Sequence, residues 1–219
     1  MLNLILKDLL VQKKSLLFAL GYCFFLVFAF QSMEGTAPVA ATIAVVYLLI
    51  QYSFAYDDKN KSEIMLNSLP ISRKDIVLAK YLSVLLYIGL ATVAYMFATL
   101  VIKMINIPLN VQFLSLQTIS ISFFIVSLMA SFYLPVVLKY GYLKSKMFNI
   151  VMFLLFFFIP MGIISLNQKP GFSLSVNMSL KDAISWSNWQ ITLLVIGFSL
   201  LMMCVSCFIS INIYNNREF

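Results

Sequence analysis

An all-α membrane protein with six transmembrane helices is predicted by three observations. Hydrophobic residues make up 62% of the 219-residue chain and charged residues only 11%, where a soluble domain carries about 25% charge; the mean hydropathy is +0.97. Six apolar stretches, at residues 16–33, 37–56, 76–102, 113–138, 147–166 and 191–213, approach or exceed the ~20 residues a helix needs to cross the hydrocarbon core. The basic residues are also sorted between the two sides those spans define. With so much of the chain in spans, residues 1–219 read as a single transmembrane domain.

The opening residues 1–12 are not a span. Leu2, Ile5, Leu6, Leu9 and Leu10 recur at helical spacing, with Lys7, Asp8 and Gln12 opposite. This pattern predicts an amphipathic helix lying along the inner membrane surface, or else the inner end of a long first helix. The first span is short enough to pass for a signal-peptide core, but no small-x-small cleavage site follows it, so it is expected to be retained. With an even number of spans both termini share a side. If that side is the cytoplasm, the inner segments hold twelve Lys and Arg and the outer ones only Lys103, Lys169 and Lys181. That asymmetry predicts cytoplasmic N and C termini.

The only long polar interruption lies between spans two and three. Asp57-Asp58-Lys59-Asn60-Lys61 forms a charged exit, and Ile64, Met65, Leu66 and Leu69 can make an apolar face about two turns long. Pro70 should end that short helix, because it lacks an amide hydrogen and disfavours helical geometry at Leu69. Ser72 to Asp75 reads as a capping box opening the next helix. A polybasic lipid-binding segment would be nearly free of acids. Here Asp57, Asp58, Glu63 and Asp75 nearly balance Lys59, Lys61, Arg73, Lys74 and Lys80. Mixed charge around an apolar face suits docking into a groove on another protein; a solvated connector with ordinary caps fits the same residues.

A resemblance bears on that choice. Ser68-Leu69-Pro70-Ile71-Ser72-Arg73-Lys74-Asp75-Ile76, followed by Ala79-Lys80-Tyr81-Leu82, resembles the loop of ABC-2-type transporter permeases, the six-span membrane subunits of ATP-driven exporters. The resemblance implies that the segment, with Glu63 upstream, forms a coupling helix seated in a cleft of an ATPase subunit. Glu63, Ile64, Met65, Leu66, Leu69, Pro70, Ser72, Arg73, Lys74 and Asp75 would then carry the coupling. It implies further that ATP and Mg bind in that partner and no cofactor in this chain, and that two permeases, identical or paralogous, pair. The Leu4–Leu10 run resembles the entry helix of a small bacterial branch that includes peptide exporters and antimicrobial-peptide resistance systems. A bacterial plasma membrane and an amphipathic peptide or lipid-like substrate follow from the same resemblance.

Other classes are disfavoured by absence. No GxxxxGK[ST] run is present, so the chain has no P-loop of its own. The chain has no His, and Cys23, Cys204 and Cys207 fall in apolar segments, so neither a metal site, a disulfide framework nor a catalytic centre is expected. The net charge of +7 comes without a basic stripe interleaved with aromatics, which argues against nucleic acid. No ionisable group is expected at mid-depth of a span, which counts against an ion-coupled carrier; that class, and a non-transporting scaffold or assembly factor, are the alternatives. Tyr47, Gln51, Tyr52 and Gln117 are candidate path residues, although interhelical hydrogen bonding is the commoner role for such groups. Pro160 and Gly162 should bend or break span five near its outer end. The following segment 167–188, which holds Trp186, is apolar enough to dip into the outer leaflet or else lies on the headgroups; the resemblance implies short re-entrant helices there that seal an outer gate.

Overall fold

The computed structural model describes residues 2–30, 36–68, 70–105, 114–167 and 188–217. Among them are eight helices: α1 (Leu2–Val11), α2 (Lys13–Ala29), α3 (Thr36–Lys59), α4 (Ser62–Ser68), α5 (Arg73–Met104), α6 (Leu116–Tyr140), α7 (Tyr142–Asn167) and α8 (Asn188–Asn215). Five of them, α3, α5, α6, α7 and α8, are long and apolar enough to cross a membrane. The 17-residue α2 makes a sixth only together with α1, from which it departs by a 64° bend. The chain is thus an all-α multi-pass membrane protein.

Helix α3 runs through the middle, touching α1, α2, α4, α5, α6 and α7. Its first half explains this position: Val39, Ala40, Ala41, Ile43, Ala44, Val45 and Val46 are all buried to 1% exposure or less. Lipid tails are as apolar as Leu, so helices in a membrane associate through close van der Waals packing, which small side chains permit. Helix α5 buries Val77, Tyr81, Val84, Ile88, Ala91, Tyr95 and Ala98 and turns Leu82, Leu86, Val93, Phe97 and Leu100 outward. That is the helical repeat, with the apolar outer side suited to lipid. The most extensive pairing is α6 with α8. There the Tyr81 hydroxyl lies 2.7 Å from Ser206 Oγ and 2.8 Å from Ser210 Oγ, and Ser206 donates to the Ser131 carbonyl at 2.6 Å. These bonds fasten α5, α6 and α8 together.

Both ends of the chain lie on the face that carries the α3–α5 loop. Lys7 and Asp8 of α1 reach Asp57 and Lys80. Arg73 Nη1 donates to the carbonyls of Asn215 (2.8 Å) and Arg217 (3.2 Å), and Arg217 Nη1 to that of Leu138 (2.8 Å). The arginines therefore cap the ends of α8 and α6, where carbonyls lack intrahelical partners.

Two sequence expectations about helix ends are corrected. Ser72 does cap α5, accepting the Asp75 amide at 3.1 Å, but the two-way capping box stands at Ser115 and Thr118 on α6. Of the bend or break expected at Pro160, the break does not occur: α7 continues through Gly162 to Asn167. Proline forfeits one hydrogen bond, and within a membrane bundle the freed carbonyl is readily re-satisfied. Pro135 sits inside α6 in the same way.

Candidate functional site

The charged residues at the loop-bearing face form a buried joint between three helices. Lys80, two turns into α5, donates from Nζ to Asp8 Oδ2 at 2.8 Å, Ser53 Oγ at 2.9 Å and Asp57 Oδ2 at 2.5 Å. An ammonium has three N–H donors and no acceptor, so three acceptors satisfy it completely. Lys7 Nζ closes the ring, 2.8 Å from Asp57 Oδ1 and 3.4 Å from Asp8 Oδ1. Each carboxylate thus bridges two lysines, and two positive charges meet two negative ones. The side chains of Asp8, Lys80 and Asp57 are only 5%, 10% and 11% exposed, and that of Lys7 27%. The Phe54 ring lies 5.0 Å from the Lys80 ammonium and shields it further.

Gln12 extends the joint by one turn of chain. With its amide oriented to suit its neighbours, it donates to the Leu49 carbonyl at 3.2 Å and accepts from the Tyr87 hydroxyl at 3.0 Å and the Ser53 amide at 3.1 Å. Asp8 and Gln12 are therefore the inward side of α1, while Leu6 and Leu10 are over half exposed. The polar side of residues 4–12 is turned to the bundle, and the apolar residues divide: Leu6 and Leu10 face outward, while Ile5 is buried and Leu4 and Leu9 pack against the core. A surface bathed in acyl chains rewards that orientation, because the polar groups find partners only among the helices.

Helix α4 closes over the joint. Leu66 is buried at 6% exposure. With Leu4, Lys7 and Asp8 of α1 and Ile76, Ala79 and Lys80 of α5 it lines a cavity of about 10 Å³, too small to do more than hold one water. Met65, the preceding residue, is 59% exposed. The expected apolar face of α4 therefore divides, Leu66 packing inward and Met65 facing out. Pro70, Ser72 and Lys74 are exposed; Asp75 is half-buried and Arg73 is turned to the end of α8. The side chains of Glu63 and Ile64, and all of Leu69, lie outside the described residues. Asp57 and Lys80, counted in the sequence among the loop's mixed charges, are instead committed to the joint.

The candidate path residues do not all come together. Tyr47 stacks on Phe153 of α7, with ring centroids 4.0 Å apart. One turn further in, Gln51 Nε2 is buried without a hydrogen-bond partner among the described residues, as are Tyr133 Oη and Asn149 Nδ2. Tyr52 lies beside Tyr56, ring to ring at 6.4 Å. Gln117 is exposed in the first turn of α6, toward the opposite face. Pro160 lines an apolar groove between α6 and α7, and a side chain at Gly162 would meet open space. Trp186, with segment 168–187, lies outside the described residues. Cys23 and Cys207 are buried and Cys204 exposed, all three as free thiols. Among the described residues no group of three His, Cys, Asp or Glu is placed to hold a metal ion.

Sequence reasoning missed the joint because it treated Asp8 as solvated and Asp57 and Lys80 as members of the loop's mixed charge. The available signal was a lysine inside an apolar stretch, which calls for a carboxylate on another helix at the same depth. Asp8 and Asp57 were the two candidates on that side. No curated protein matches the chain. Residues 3–215, however, match the family described as ABC-2 family transporter protein, whose members are non-catalytic membrane transport subunits and imply a nucleotide-binding ATPase partner. On that match, which runs from α1 to the end of α8, the chain belongs to the ABC-2 transporter family.

Proposed function

We propose that the chain is the single-domain permease subunit of an ATP-driven exporter in a bacterial plasma membrane, with its joint-bearing face and both termini in the cytoplasm. In this reading α4 is the coupling helix. Met65, Pro70, Ser72, Lys74 and the Glu63 position face the ATPase partner, where ATP and Mg bind, while Leu66 transmits its motion inward. The single observation that carries the reading is that Leu66 borders the Lys80–Asp8–Asp57 joint. A push on α4 is thereby passed to α1, α3 and α5 together rather than lost in a flexible loop. Each proton of Lys80 is already engaged by an acceptor, which suits a mechanical joint better than a proton relay.

Two such permeases, identical or paralogous, pair around a path, and ATP biases a two-state equilibrium through the docked helix. A largely apolar interior with scattered uncharged polar groups such as Gln51, Tyr133 and Asn149 suits an amphipathic peptide or lipid-like substrate. The deciding experiment is affinity capture of the intact complex from its native membrane, with wild type, Glu63→Ala and Met65→Asp compared. The wild-type chain should bring down an ATPase subunit, and both variants should lose it while inserting normally. Capture without an ATPase, or undiminished capture by both variants, removes the coupling assignment. Stimulation of the complex's ATPase by amphipathic peptide tests the substrate class, and an unresponsive ATPase counts against it.

A further inference from the structure

The two corners at the loop-bearing face differ in charge. The α3–α5 corner mixes carboxylates with cations. The α6–α7 corner carries Lys139, Lys144 and Lys146 within eight residues, and the chain has no Asp or Glu between Asp75 and Asp182. All three lysines are exposed, with Lys139 Nζ 5.2 Å from the Tyr140 ring. Arg217, bonded to the Leu138 carbonyl, adds a fourth cation; Asp58 of α3 is the carboxylate that acts on Tyr142 there. Lys144 and Lys146 also stand in the opening turns of α7, where the helix dipole and unpaired amides are already positive. Exposed cations gathered in this way, with Asp58 as the carboxylate beside them, leave a net positive corner that attracts anions.

The apolar surface next to this corner says what kind of anion. Leu143 and Met147, one turn apart, are 71% and 74% exposed. They begin an outward stripe that continues through Val151, Leu154 and Phe158 along α7. An apolar groove of about 660 Å³, lined at its inner end by Phe132 and Met152, lies between α6 and α7 on the side of α7 away from that stripe. At 1.5 Å per residue, Phe132 lies about 10 Å from Lys139, within reach of an acyl chain. A soluble acidic partner would meet the lysines but leave this stripe and groove uncovered.

We propose that the α6–α7 corner is a binding site for an anionic phospholipid of the inner leaflet, its phosphate held by Lys139, Lys144 and Lys146 and one acyl chain laid against the α6–α7 groove. The inference rests on the membrane-spanning architecture and on the cytoplasmic placement of the loop-bearing face proposed above, and is independent of the export role. The test is native mass spectrometry of the purified full chain in micelles doped with phosphatidylglycerol or phosphatidylcholine, for wild type, K139Q/K144Q/K146Q and the control K59Q/K61Q/K74Q. Each lysine near an anionic surface contributes about fivefold, so the corner variant should lose phosphatidylglycerol preference by up to ~100-fold at low salt, and the control should keep it. Equal loss in both variants, or equal retention of both lipids by wild type, overturns the proposal. So does a corner variant that keeps phosphatidylglycerol but loses a soluble partner. If the corner variant cannot be purified, wild type alone decides. Phosphatidylglycerol retention must fall as salt shortens the Debye length from about 30 Å at 0.01 M to 3 Å at 1 M, and salt-insensitive retention refutes the site.

Discussion

Removing the Lys80 ammonium is the sharpest test of the joint. In Lys80→Met the side-chain volume is nearly kept, but Asp8 and Asp57 are left facing each other with Lys7 as their sole cation. Two positive and two negative charges become one and two, at carboxylates only 5% and 11% exposed. Breaking a buried pair by deleting one partner costs about 3–5 kcal/mol, because an uncompensated charge stays behind. Replacing a balanced set by neutral groups costs far less. Lys80→Met combined with Asp8→Asn restores balance, with Lys7 and Asp57 still paired at 2.8 Å. The double variant should therefore be more stable than the Lys80→Met single, a coupling of opposite sign to simple addition. Thermal denaturation of detergent-solubilised chain, followed by the loss of its monodisperse peak, ranks the variants, with exposed Asp58→Asn as the neutral control. If Lys80→Met melts with the control, or the double variant melts below the single, the four charges do not act as one buried unit.

Three further perturbations probe other parts of the structure. Leu66→Ala should lower stability by about 2–5 kcal/mol, the range for deleting a buried leucine side chain, whereas Met65→Ala, at 59% exposure, should stay within about 0.5 kcal/mol. The same melting assay separates them, and equal melting temperatures would mean that α4 is not packed by Leu66. Gly141 has φ +80°, and a Cβ there would come 3.3 Å from Arg217 Nη2. Gly141→Ala should cost about 1–3 kcal/mol, as expected for a backbone region open essentially to glycine alone, and a melt unchanged from wild type would refute that geometry. Tyr81→Phe removes the hydroxyl shared by Ser206 and Ser210 and should cost about 0.6 kcal/mol and at most about 1.7, the average and maximum for interhelical hydrogen bonds in membranes. A larger loss would mean that the hydroxyl holds more than those two serines.

What was legible in the sequence followed from solubility, and what was not followed from pairing. The later spans stand out because crossing a bilayer forbids exposed backbone and most charge, so their residues announce themselves one segment at a time. The short α4 helix and the Ser72 cap were readable for a similar reason: Pro70 and a hydroxyl three residues before Asp75 are local signals. The joint is different in kind. Asp8, Asp57 and Lys80 are separated by 49 and 23 positions, and each taken alone fits a solvated charge near a membrane surface. Their meaning appears only when α1, α3 and α5 are brought to the same depth. The face chosen by α1 was hidden likewise, since an amphipathic pattern fixes that two faces differ and leaves open which one meets the protein.

That ambiguity over α1 bears on the mechanism. A helix lying on the membrane with its polar face in water would slide with the lipid and transmit nothing to the bundle. With Asp8 and Gln12 turned inward, α1 is bonded to α3 and α5 through Lys80, Ser53, Leu49 and Tyr87. Leu66 completes the contact from the loop side. Three helices and the loop thus meet at one point at the loop-bearing end of the bundle. The cost of desolvating four charges there is offset only while all four stay together, so the point resists being pulled apart and moves as a unit. In the coupling role proposed for α4, motion applied there would reach α3, which touches α2, α5, α6 and α7, so a displacement of that central helix would be felt by most of the bundle.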